Sequence, residues 1–380
     1  MPESINILDR LIRFNTVSRT PNRDLIDYVR DLLLDAGIES TIVPGDNGAN
    51  ANLYATVGPT VDGGIMLSGH TDVVPTEGQA WTVDPFRMMD KDGRLYGRGT
   101  ADMKGFVACA IRAMIAAKGR HLSTPLHLAL SYDEEIGCVG VRRMIDMLAA
   151  APTRPGFCIV GEPTELAIAT GHKGKVAARA ISTGREVHSA LAPQGVNAIH
   201  PAAEFIQTLT TIQADLAENG AKDGDYDVAY STVHAGVIRG GTALNIVPNE
   251  CTVDFEIRHL RVDDPSQLMA RITDAAKAIS GKYPDGCGIR IEEVNRYPGL
   301  DTPPDAEIVQ FMKSLTGANS TTKVAFGTEA GLFDAVLGVP AIVCGPGSMA
   351  QGHKPDEFIS RAQIDKCDRM LDALLDRISA

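Results

Sequence analysis

The chain lacks any apolar run approaching the roughly 20 residues that a membrane-spanning helix needs. Its beginning, Met1–Ser4, has neither the basic nor the apolar region of an export signal. The seven cysteines are scattered and none forms a CxxC pair, which argues against a disulfide framework. We therefore expect a cytoplasmic protein with reduced thiols and no membrane partner.

Positive charge is also scarce, with 36 Lys and Arg against 48 Asp and Glu and a formal net charge of −12. Nucleic acids and anionic membranes both need a concentrated positive surface, so neither is expected as a partner. The 380 residues exceed the comfortable size of one hydrophobic core, and 44% of them are hydrophobic. A globular protein of two domains is the simplest expectation.

Apolar periodicity predicts alternating helices and strands in the first and last thirds of the chain. The first set comprises helices at Ile5–Ile12 and Leu25–Leu33, strands at Ala51–Val57 and Ile65–Ser68, a helix at Met103–Ala117, and strands at Leu126–Ser131 and Phe157–Val160. The last set comprises a helix at Glu307–Leu315, a strand at Thr322–Phe326, a helix at Ala330–Leu337, a strand at Ala341–Cys344 and a helix at Gln363–Ile378. This alternation predicts an α/β fold with a mostly parallel sheet flanked by helices.

The order of elements changes to βαββαβ in the middle of the chain, which is a self-sufficient unit with two helices on one face of an antiparallel sheet. Its elements are predicted at Val176–Thr183, Ala198–Leu216, Ser231–Ile238, Cys251–His259, Pro265–Ile279 and Gly288–Val294. We therefore predict an inserted α+β domain at residues 177–294. It would interrupt one discontinuous catalytic domain made of residues 1–176 and 295–380.

Three of the predicted apolar strands end on side chains that can bind a metal ion. The first strand delivers His70, with Asp72 two residues later, and the second runs into Glu134 and Glu135. The third ends at Glu162, which the following proline favours in an extended conformation. Each pattern alone is also typical of a surface ion pair or a solvated loop. Because the carboxyl ends of strands in an α/β sheet meet at one crevice, the threefold repetition favours a shared site.

Two further polar residues follow glycine-rich stretches. Asp102 lies within Gly97–Gly105, where glycines permit tight turns and close approach of the backbone, and His353 follows the Gly345–Gly347 loop. A phosphate-binding loop is the rival interpretation of Gly97–Gly105, but the segment lacks the GxxxxGK[ST] order.

Imidazole and carboxylate ligands without cysteine suit zinc, cobalt or manganese. The predicted ligands are His70, Asp102, Glu162, His353 and one of the two acids Glu134 and Glu135. Five ligands are too many for one catalytic ion with an open position, and they suit two ions about 3.5–4 Å apart that share Asp102. One acid of the Glu134 and Glu135 pair would bind while its neighbour accepts a proton from water. Asp72 would orient His70 through the second ring nitrogen.

These motifs resemble the M20 family of metallopeptidases and deacylases, which includes acetylornithine deacetylase, succinyl-diaminopimelate desuccinylase, aminoacylase and bacterial glutamate carboxypeptidase. The matching segments span nearly the whole chain: Ser68–Pro75, Gly97–Gly105, Asp133–Gly137, Gly161–Thr164, Gly184–Asn197, Asn245–Pro248 and Gly345–Phe358. The resemblance implies that His70 and Glu162 hold one ion and that Glu135 and His353 hold the other, with Asp102 between them.

The resemblance also implies that Glu134 is the general base and that the Asp102–Met103 peptide bond is cis. It implies that the inserted domain is a lid or dimerisation domain and that the protein is a homodimer. His188 would then reach the site of a neighbouring subunit and stabilise the oxyanion.

Within the family, Thr328–Phe333 and Cys344–Phe358 look most like the acetylornithine deacetylase branch. This implies an N-acyl amino acid substrate, removal of the acetyl group from N-acetyl-L-ornithine, and a place in arginine biosynthesis, with two zinc ions that cobalt could replace. We expect Arg258 to clamp the substrate carboxylate, Asn245 to add a hydrogen bond, and Glu329 to face the side-chain ammonium. An ordinary salt bridge is the alternative for Arg258.

Two other functions remain open at this stage. One is a related deacylase or dipeptidase, such as a desuccinylase or an aminoacylase, which would use the same chemistry on another substrate. The other is a non-catalytic module that binds a metal or a small molecule. The extra carboxylate of Glu134 argues against such a module, since a binder gains nothing from it.

Overall fold

The computed structural model describes residues 4–46 and 48–379, so of the first segment, Met1–Ser4, only Ser4 is among the described residues. The helices are α1 (Ser4–Ile12), α2 (Arg23–Asp35), α3 (Lys104–Lys118), α4 (Val141–Ala150), α5 (Ile199–Asn219), α6 (Pro265–Ser280), α7 (Glu307–Thr316), α8 (Ala330–Leu332) and α9 (Arg361–Ile378). A 3₁₀ segment at Ser189–Gln194 and a π-helical turn at Phe333–Leu337 accompany them. Among the described residues, no helix combines the length and apolar character needed to cross a bilayer.

In the part of the chain that the structure describes, three sheets are formed by sixteen strands. They are β1 (Ser40–Pro44), β2 (Ala51–Val57), β3 (Ile65–His70), β4 (Met89–Lys91), β5 (Arg94–Tyr96), β6 (Leu126–Ser131), β7 (Phe157–Pro163), β8 (Ala169–His172), β9 (Gly174–Thr183), β10 (Thr232–Gly240), β11 (Glu250–His259), β12 (Gly288–Tyr297), β13 (Leu300–Asp301), β14 (Thr322–Val324), β15 (Ala341–Gly345) and β16 (Phe358–Ser360). A small sheet has the order β16-β5-β4.

The largest sheet has the strand order β1-β2-β6-β3-β7-β15-β8-β13, with β14 paired to β8. Its centre is parallel, because β3 pairs in parallel with β6 and β7, and β7 pairs in parallel with β15. Antiparallel pairs lie outside this centre, at β1–β2, β2–β6 and β15–β8. The strands β3, β6 and β15 are buried along their whole length, as expected where helices cover both faces. The predicted α/β fold with a mostly parallel sheet is confirmed.

The described chain divides into two compact units, one of residues 1–171, 300–323 and 328–380, and the other of residues 172–299 and 324–327. The second unit contains a four-stranded antiparallel sheet of order β10-β11-β9-β12 together with α5 and α6. Burial alternates strictly along β9 and β11, because one face of each strand packs into the core of this unit. The predicted insert, residues 177–294, lies inside the second unit.

Some elements differ from the sequence-based expectation. Helix α4 was not predicted, although Val141, Met144, Ile145 and Leu148 bury one face at helical spacing. The region predicted as one helix at Ala330–Leu337 instead begins as the α-helical turn of α8 and continues as a π-helical turn. The strands β4, β5 and β16 have three residues each, too few for a periodic signal.

Candidate metal centre

Asp102 lies between two histidines in the first unit. His70 Nε2 is 3.1 Å from its Oδ1, and His353 Nε2 is 3.1 Å from its Oδ2. The side chain of Asp102 is only 3% exposed. The two oxygens of one carboxylate therefore face two different nitrogen donors, as a bridging ligand requires. The peptide bond between Asp102 and Met103 is cis, as predicted.

Two groups of three side chains share Asp102, and each group could hold a metal ion. The first consists of His70, Asp102 and Glu162, with His70 Nε2 3.5 Å from Glu162 Oε1. The second consists of Asp102, Glu135 and His353, with His353 Nε2 3.0 Å from Glu135 Oε2. Within each group the potential ligand atoms lie within 4.8 Å of one another. The five residues predicted as ligands are thus brought together in the predicted pairs.

The two groups differ in their access to solvent. Every member of the first group is buried, whereas the side chain of His353 in the second group is 45% exposed. The difference follows from the local fold, because His70 and Glu162 lie on the buried strands β3 and β7. His353 lies in a loop, where its backbone has the positive φ of 62° that non-glycine residues rarely adopt.

A glycine next to Glu162 explains how helix α3 approaches the ligands so closely. A Cβ added at Gly161 would lie 1.9 Å from the ring of Phe106. Any side chain at this position would therefore displace the helix that begins directly after Asp102 and Met103. Close approach of a helix to a strand is a use for which glycine is suited.

Asp72 contacts His70 differently from the prediction. The ring atom Nδ1 of His70 is 2.9 Å from the main-chain carbonyl oxygen of Asp72, and 3.6 Å from the carboxylate. The carboxylate instead accepts hydrogen bonds from the main-chain N–H groups of Glu134, at 3.0 Å, and Glu135, at 3.3 Å. It also accepts one from the Ser18 hydroxyl at 2.8 Å. Asp72 thus holds the loop that carries both glutamates.

Glu134 lies beside the two groups but belongs to neither of them. It is 8% exposed, and the thiol of Cys138 lies 3.3 Å from its Oε1. Burial raises the pKa of Glu134 well above its usual range, and the charge of Glu135 raises it further. A carboxylate that is easily protonated and next to two ligand groups is suited to accept and return a proton.

The three closely spaced carboxylates of the centre need nearby positive charge if all of them are to be ionised. Burial and the charge of Asp102 raise the pKa of Glu162 well above its usual range, and they raise the pKa of Glu135 to about 7. Although burial disfavours ionisation of Asp102, hydrogen bonds from His353 and His70 lower its pKa. Hydrogen bonds to Asp102 and Glu135 raise the pKa of His353 to about 10. Two nitrogen and three carboxylate donors arranged in this way fit divalent cations.

Glu329, which the sequence analysis expects to contact the substrate ammonium, is buried within the first unit. It is 1% exposed, and its Oε1 and Oε2 accept hydrogen bonds from the hydroxyls of Ser131, at 2.5 Å, and Ser68, at 3.3 Å. Burial raises its pKa to about 7, against the effect of the Ser131 hydrogen bond. Because both carboxylate oxygens are engaged inside the unit, this geometry favours a structural role for Glu329 over the predicted contact with a substrate ammonium.

The remaining predicted residues, His188, Asn245 and Arg258, belong to the second unit. His188 is exposed, and its Nδ1 accepts a hydrogen bond from the main-chain N–H of Ala190 at 3.1 Å. Arg258 donates from Nε to Oε1 of Glu256 at 3.0 Å and from Nη1 to the hydroxyl of Tyr297 at 2.9 Å. The salt bridge considered as an alternative for Arg258 is therefore present.

Two buried charged residues next to the centre, Glu357 and Arg98, lie outside the set of residues predicted from the sequence. Glu357 and Arg98 are each 1% exposed and form an ion pair of 2.7 Å. Glu357 also contacts the main chain of Asp102. The spacing of four residues between His353 and Glu357 was a possible signal, but the burial of this pair is a property of the folded chain.

The sequence of the whole second unit and most of the first matches a known family. Residues 66–377 match the profile described as Peptidase family M20/M25/M40. The chain belongs to this family. Acetylornithine deacetylase of Myxococcus xanthus is 34% identical to this M20 chain over 370 residues, which cover 96% of this chain and 94% of that protein. Membership of the family and this relationship identify the chain as a metal-dependent amide hydrolase.

Solved structures share the fold of this M20 chain. The M20 family metallo-carboxypeptidase Sso-CP2 from Sulfolobus solfataricus has a TM-score of 0.82 at 19% identity, with 99% of each chain covered. The Bacillus subtilis YXEP protein, described as a dinuclear metal binding peptidase from the M20 family, has a TM-score of 0.71 at 13% identity, with 99% of this chain and 97% of that chain covered. At these identities the likeness shows a common α/β fold.

Proposed function

We propose that the protein removes the acetyl group from N-acetyl-L-ornithine, giving acetate and L-ornithine in arginine biosynthesis. The observation that carries the proposed chemistry is the pair of ligand groups that share Asp102. The choice of substrate is supported by the relative from Myxococcus xanthus, which is similar over nearly the whole length of both chains.

The proposed cofactors are two divalent cations, zinc in the first instance, with cobalt as a substitute. His70 and Glu162 would hold one, Glu135 and His353 the other, and Asp102 both. Imidazole and carboxylate donors without thiolate are typical of catalytic zinc sites. When bound, the two cations supply Lewis acidity, which polarises the acetyl carbonyl and lowers the pKa of the attacking water.

In the proposed reaction, Glu134 removes a proton from the water whose oxygen attacks the acetyl carbonyl carbon. The C–N bond then breaks, and Glu134 returns the proton to the leaving amine nitrogen. Water and the amide are thereby converted to acetic acid and a free amine, and transfer of the remaining carboxyl proton to the amine gives acetate and the ammonium form, with no other reactant. Burial of Glu134, which raises its pKa, supports this role because its protonated form must persist until the amine departs.

We place the other predicted residues in supporting roles. Arg258 would bind the substrate α-carboxylate, since a guanidinium can form two parallel hydrogen bonds to it, and Asn245 would add one more. His188 of the partner subunit would stabilise the oxyanion. A homodimer through the second unit is supported by its exposed apolar side chains, among them Leu244, Val262 and Val294.

A cytoplasmic location is part of the same proposal. All seven cysteines lie among the described residues and are free thiols, six of them buried. Free thiols in this number are usual in a reducing compartment.

A substrate panel with metal-free and reconstituted protein tests the proposal. The panel consists of N-acetyl-L-ornithine, N-succinyl-L,L-diaminopimelate, N-acetyl-L-methionine and a dipeptide. We expect chelation to abolish hydrolysis, Zn²⁺ or Co²⁺ to restore it, and N-acetyl-L-ornithine to give the highest kcat/KM. A higher kcat/KM on another member of the panel would contradict the substrate assignment, and full activity without metal would contradict the two-cation chemistry.

A further inference from the structure

Glu357 is a buried acid that the proposed reaction does not use. Its Oε1 accepts hydrogen bonds from the main-chain N–H groups of Ala101, at 2.9 Å, and Asp102, at 3.1 Å. Its own main-chain carbonyl accepts a hydrogen bond from the N–H of Gly97 at 2.9 Å. Glu357 therefore holds the glycine-rich segment both at its beginning and at the residue that the two ligand groups share.

Arg98 fixes the carboxylate of Glu357. Its Nη1 is 2.7 Å from Oε2 of Glu357 and also donates to the main-chain carbonyl of Lys354 at 3.3 Å. Its Nη2 donates to Oε1 of Gln79 at 2.5 Å, and the guanidinium lies 5.0 Å from the ring centroid of Trp81. A buried ion pair is tolerated when further hydrogen bonds surround it in this way, and its geometry is then closely defined.

The hydrogen bonds of Arg98 and Glu357 also extend to the loop that carries His353. Glu357 follows His353 by four residues, and Gln79, which binds Arg98, also donates from Nε2 to the main-chain carbonyl of His353 at 2.9 Å. The loop that carries His353 and the segment that carries Asp102 are therefore joined through the Arg98–Glu357 pair. His353 and Asp102 belong to the same ligand group.

We propose that Glu357, held by Arg98, is a positioning residue that fixes the Asp102 carboxylate relative to His353, so that one carboxylate serves both ligand groups. This inference rests on the proposed function, because it presumes cations at those groups. Residues that orient a metal ligand without touching the metal typically change metal affinity by about 10–100-fold when they are altered. Metal affinity, rather than activity alone, is therefore the decisive measurement.

The test uses the full-length chain with Glu357→Gln, which keeps the size and one acceptor oxygen of the side chain but removes its charge. The matched control is Asp368→Asn, because Asp368 is an acid of the same unit that pairs with Arg112 at 3.0 Å and with the Ser4 hydroxyl at 2.7 Å. Metal-free protein is titrated with Co²⁺, and binding is followed through the visible absorption of the bound ion. Thermal midpoints of both variants measure any general loss of stability.

We expect Glu357→Gln to bind Co²⁺ about 10–100-fold more weakly than the wild type, with an altered absorption spectrum. We expect Asp368→Asn to keep the Co²⁺ affinity and spectrum of the wild type. This should hold even if its thermal midpoint is lowered as much as that of Glu357→Gln. Wild-type Co²⁺ affinity and spectrum in Glu357→Gln would overturn the inference.

A second variant covers the case in which Glu357→Gln fails to fold. Arg98→Gln combined with Glu357→Gln replaces the ion pair by two neutral amides, so no unpaired charge is buried. The same titration applies to it, and wild-type affinity and spectrum would again overturn the positioning role. Failure of the wild type to bind two Co²⁺ ions would contradict the proposed function itself, and the wild-type titration shows this before any variant is measured.

Discussion

Ser131 places its hydroxyl 2.5 Å from Oε1 of Glu329, a carboxylate that is only 1% exposed. The hydroxyl of Ser68 occupies Oε2 at 3.3 Å. Both oxygens of Glu329 therefore accept hydrogen bonds from strands of the central sheet. A structural role follows, in which Glu329 links Ser68 of β3 to Ser131, the last residue of β6.

Glu329→Gln is therefore expected to leave unchanged the preference of the enzyme for a substrate whose side chain is charged. The measurement compares kcat/KM for N-acetyl-L-ornithine and N-acetyl-L-norvaline, which has the same side-chain length without the ammonium group. We expect both values to change by the same factor. A selective loss of kcat/KM with N-acetyl-L-ornithine would support a contact between Glu329 and the substrate.

Glu329→Ala, which leaves two buried hydroxyls without their acceptor, should lower the free energy of unfolding by about 1–3 kcal/mol.

Glu134→Ala should separate catalysis from metal binding. Glu134 is in neither ligand group, so the variant should retain the metal content of the wild type. Loss of a general base typically costs a factor of about 10²–10⁴, and we expect kcat to fall by that amount. Cys138→Ala is the matched control, because it removes the thiol next to Glu134 but keeps the carboxylate. A kcat close to that of the wild type in Glu134→Ala would remove Glu134 from the reaction.

His353→Ala should remove one cation and keep the other. His353 belongs only to the second ligand group, and the first group is complete without it. After dialysis, elemental analysis should therefore find about one metal ion per chain in place of two. The exposed His121 provides the control, since His121→Ala should keep both ions. Two tightly held ions in His353→Ala would show that the second group is not a metal site.

The sequence was most informative where strands end. His70, Glu135 and Glu162 follow apolar strands whose carboxyl ends meet in any parallel α/β sheet, so their convergence follows from the order of elements. The positions of Asp102 and His353 in glycine-rich loops are not fixed by periodicity. Their roles were inferred from the set of donors as a whole, and the resemblance to the family added which ion each would hold.

Interactions that depend on the packing of distant segments could not be predicted. Glu357 and Arg98 are 259 residues apart, and nothing in the local sequence shows that both are buried. Asp72 follows His70 closely, as expected, but its carboxylate accepts hydrogen bonds from the main-chain N–H groups of Glu134 and Glu135. These two residues lie in the loop after β6, whose path the sequence does not determine. The turn before α4 is similarly irregular, since Asp133 and Cys138 have positive φ, and it obscured a helix whose apolar spacing was present.

His188 can be tested across a subunit interface by mixing two inactive proteins. His188→Ala subunits keep Glu134, and Glu134→Ala subunits keep His188, so a mixed dimer contains one complete site if His188 acts on the neighbouring subunit. After dissociation and reassociation of an equal mixture, roughly a quarter of all sites should be complete. The measurement is the recovered activity relative to each variant alone. Absence of recovery in a verified mixed dimer would place the action of His188 elsewhere.

His172 should make the second unit sensitive to acid. Burial lowers its pKa to about 4 from the ordinary value of 6.5, against the effect of a hydrogen bond with the Lys173 carbonyl. Between these two values the unfolded chain binds a proton that the folded chain does not, so the free energy of unfolding falls as the pH falls. The lowered pKa of His172 corresponds to a loss of about 3 kcal/mol in the free energy of unfolding as the pH falls from 6.5 to 4.

The comparison that isolates His172 is urea unfolding of metal-free wild type and His172→Gln at several pH values between 7.5 and 4. His172→Gln loses the ring contact with Tyr297 and should be less stable at pH 7.5, but its stability should fall less steeply below pH 6.5. His121→Gln, which alters an exposed histidine, should keep the wild-type slope. Equal slopes in wild type and His172→Gln would mean that His172 is not buried in its neutral form. A steeper slope in His172→Gln would contradict the direction of the pKa shift itself, because removal of a group with a lowered pKa can only reduce the number of protons taken up on acid unfolding.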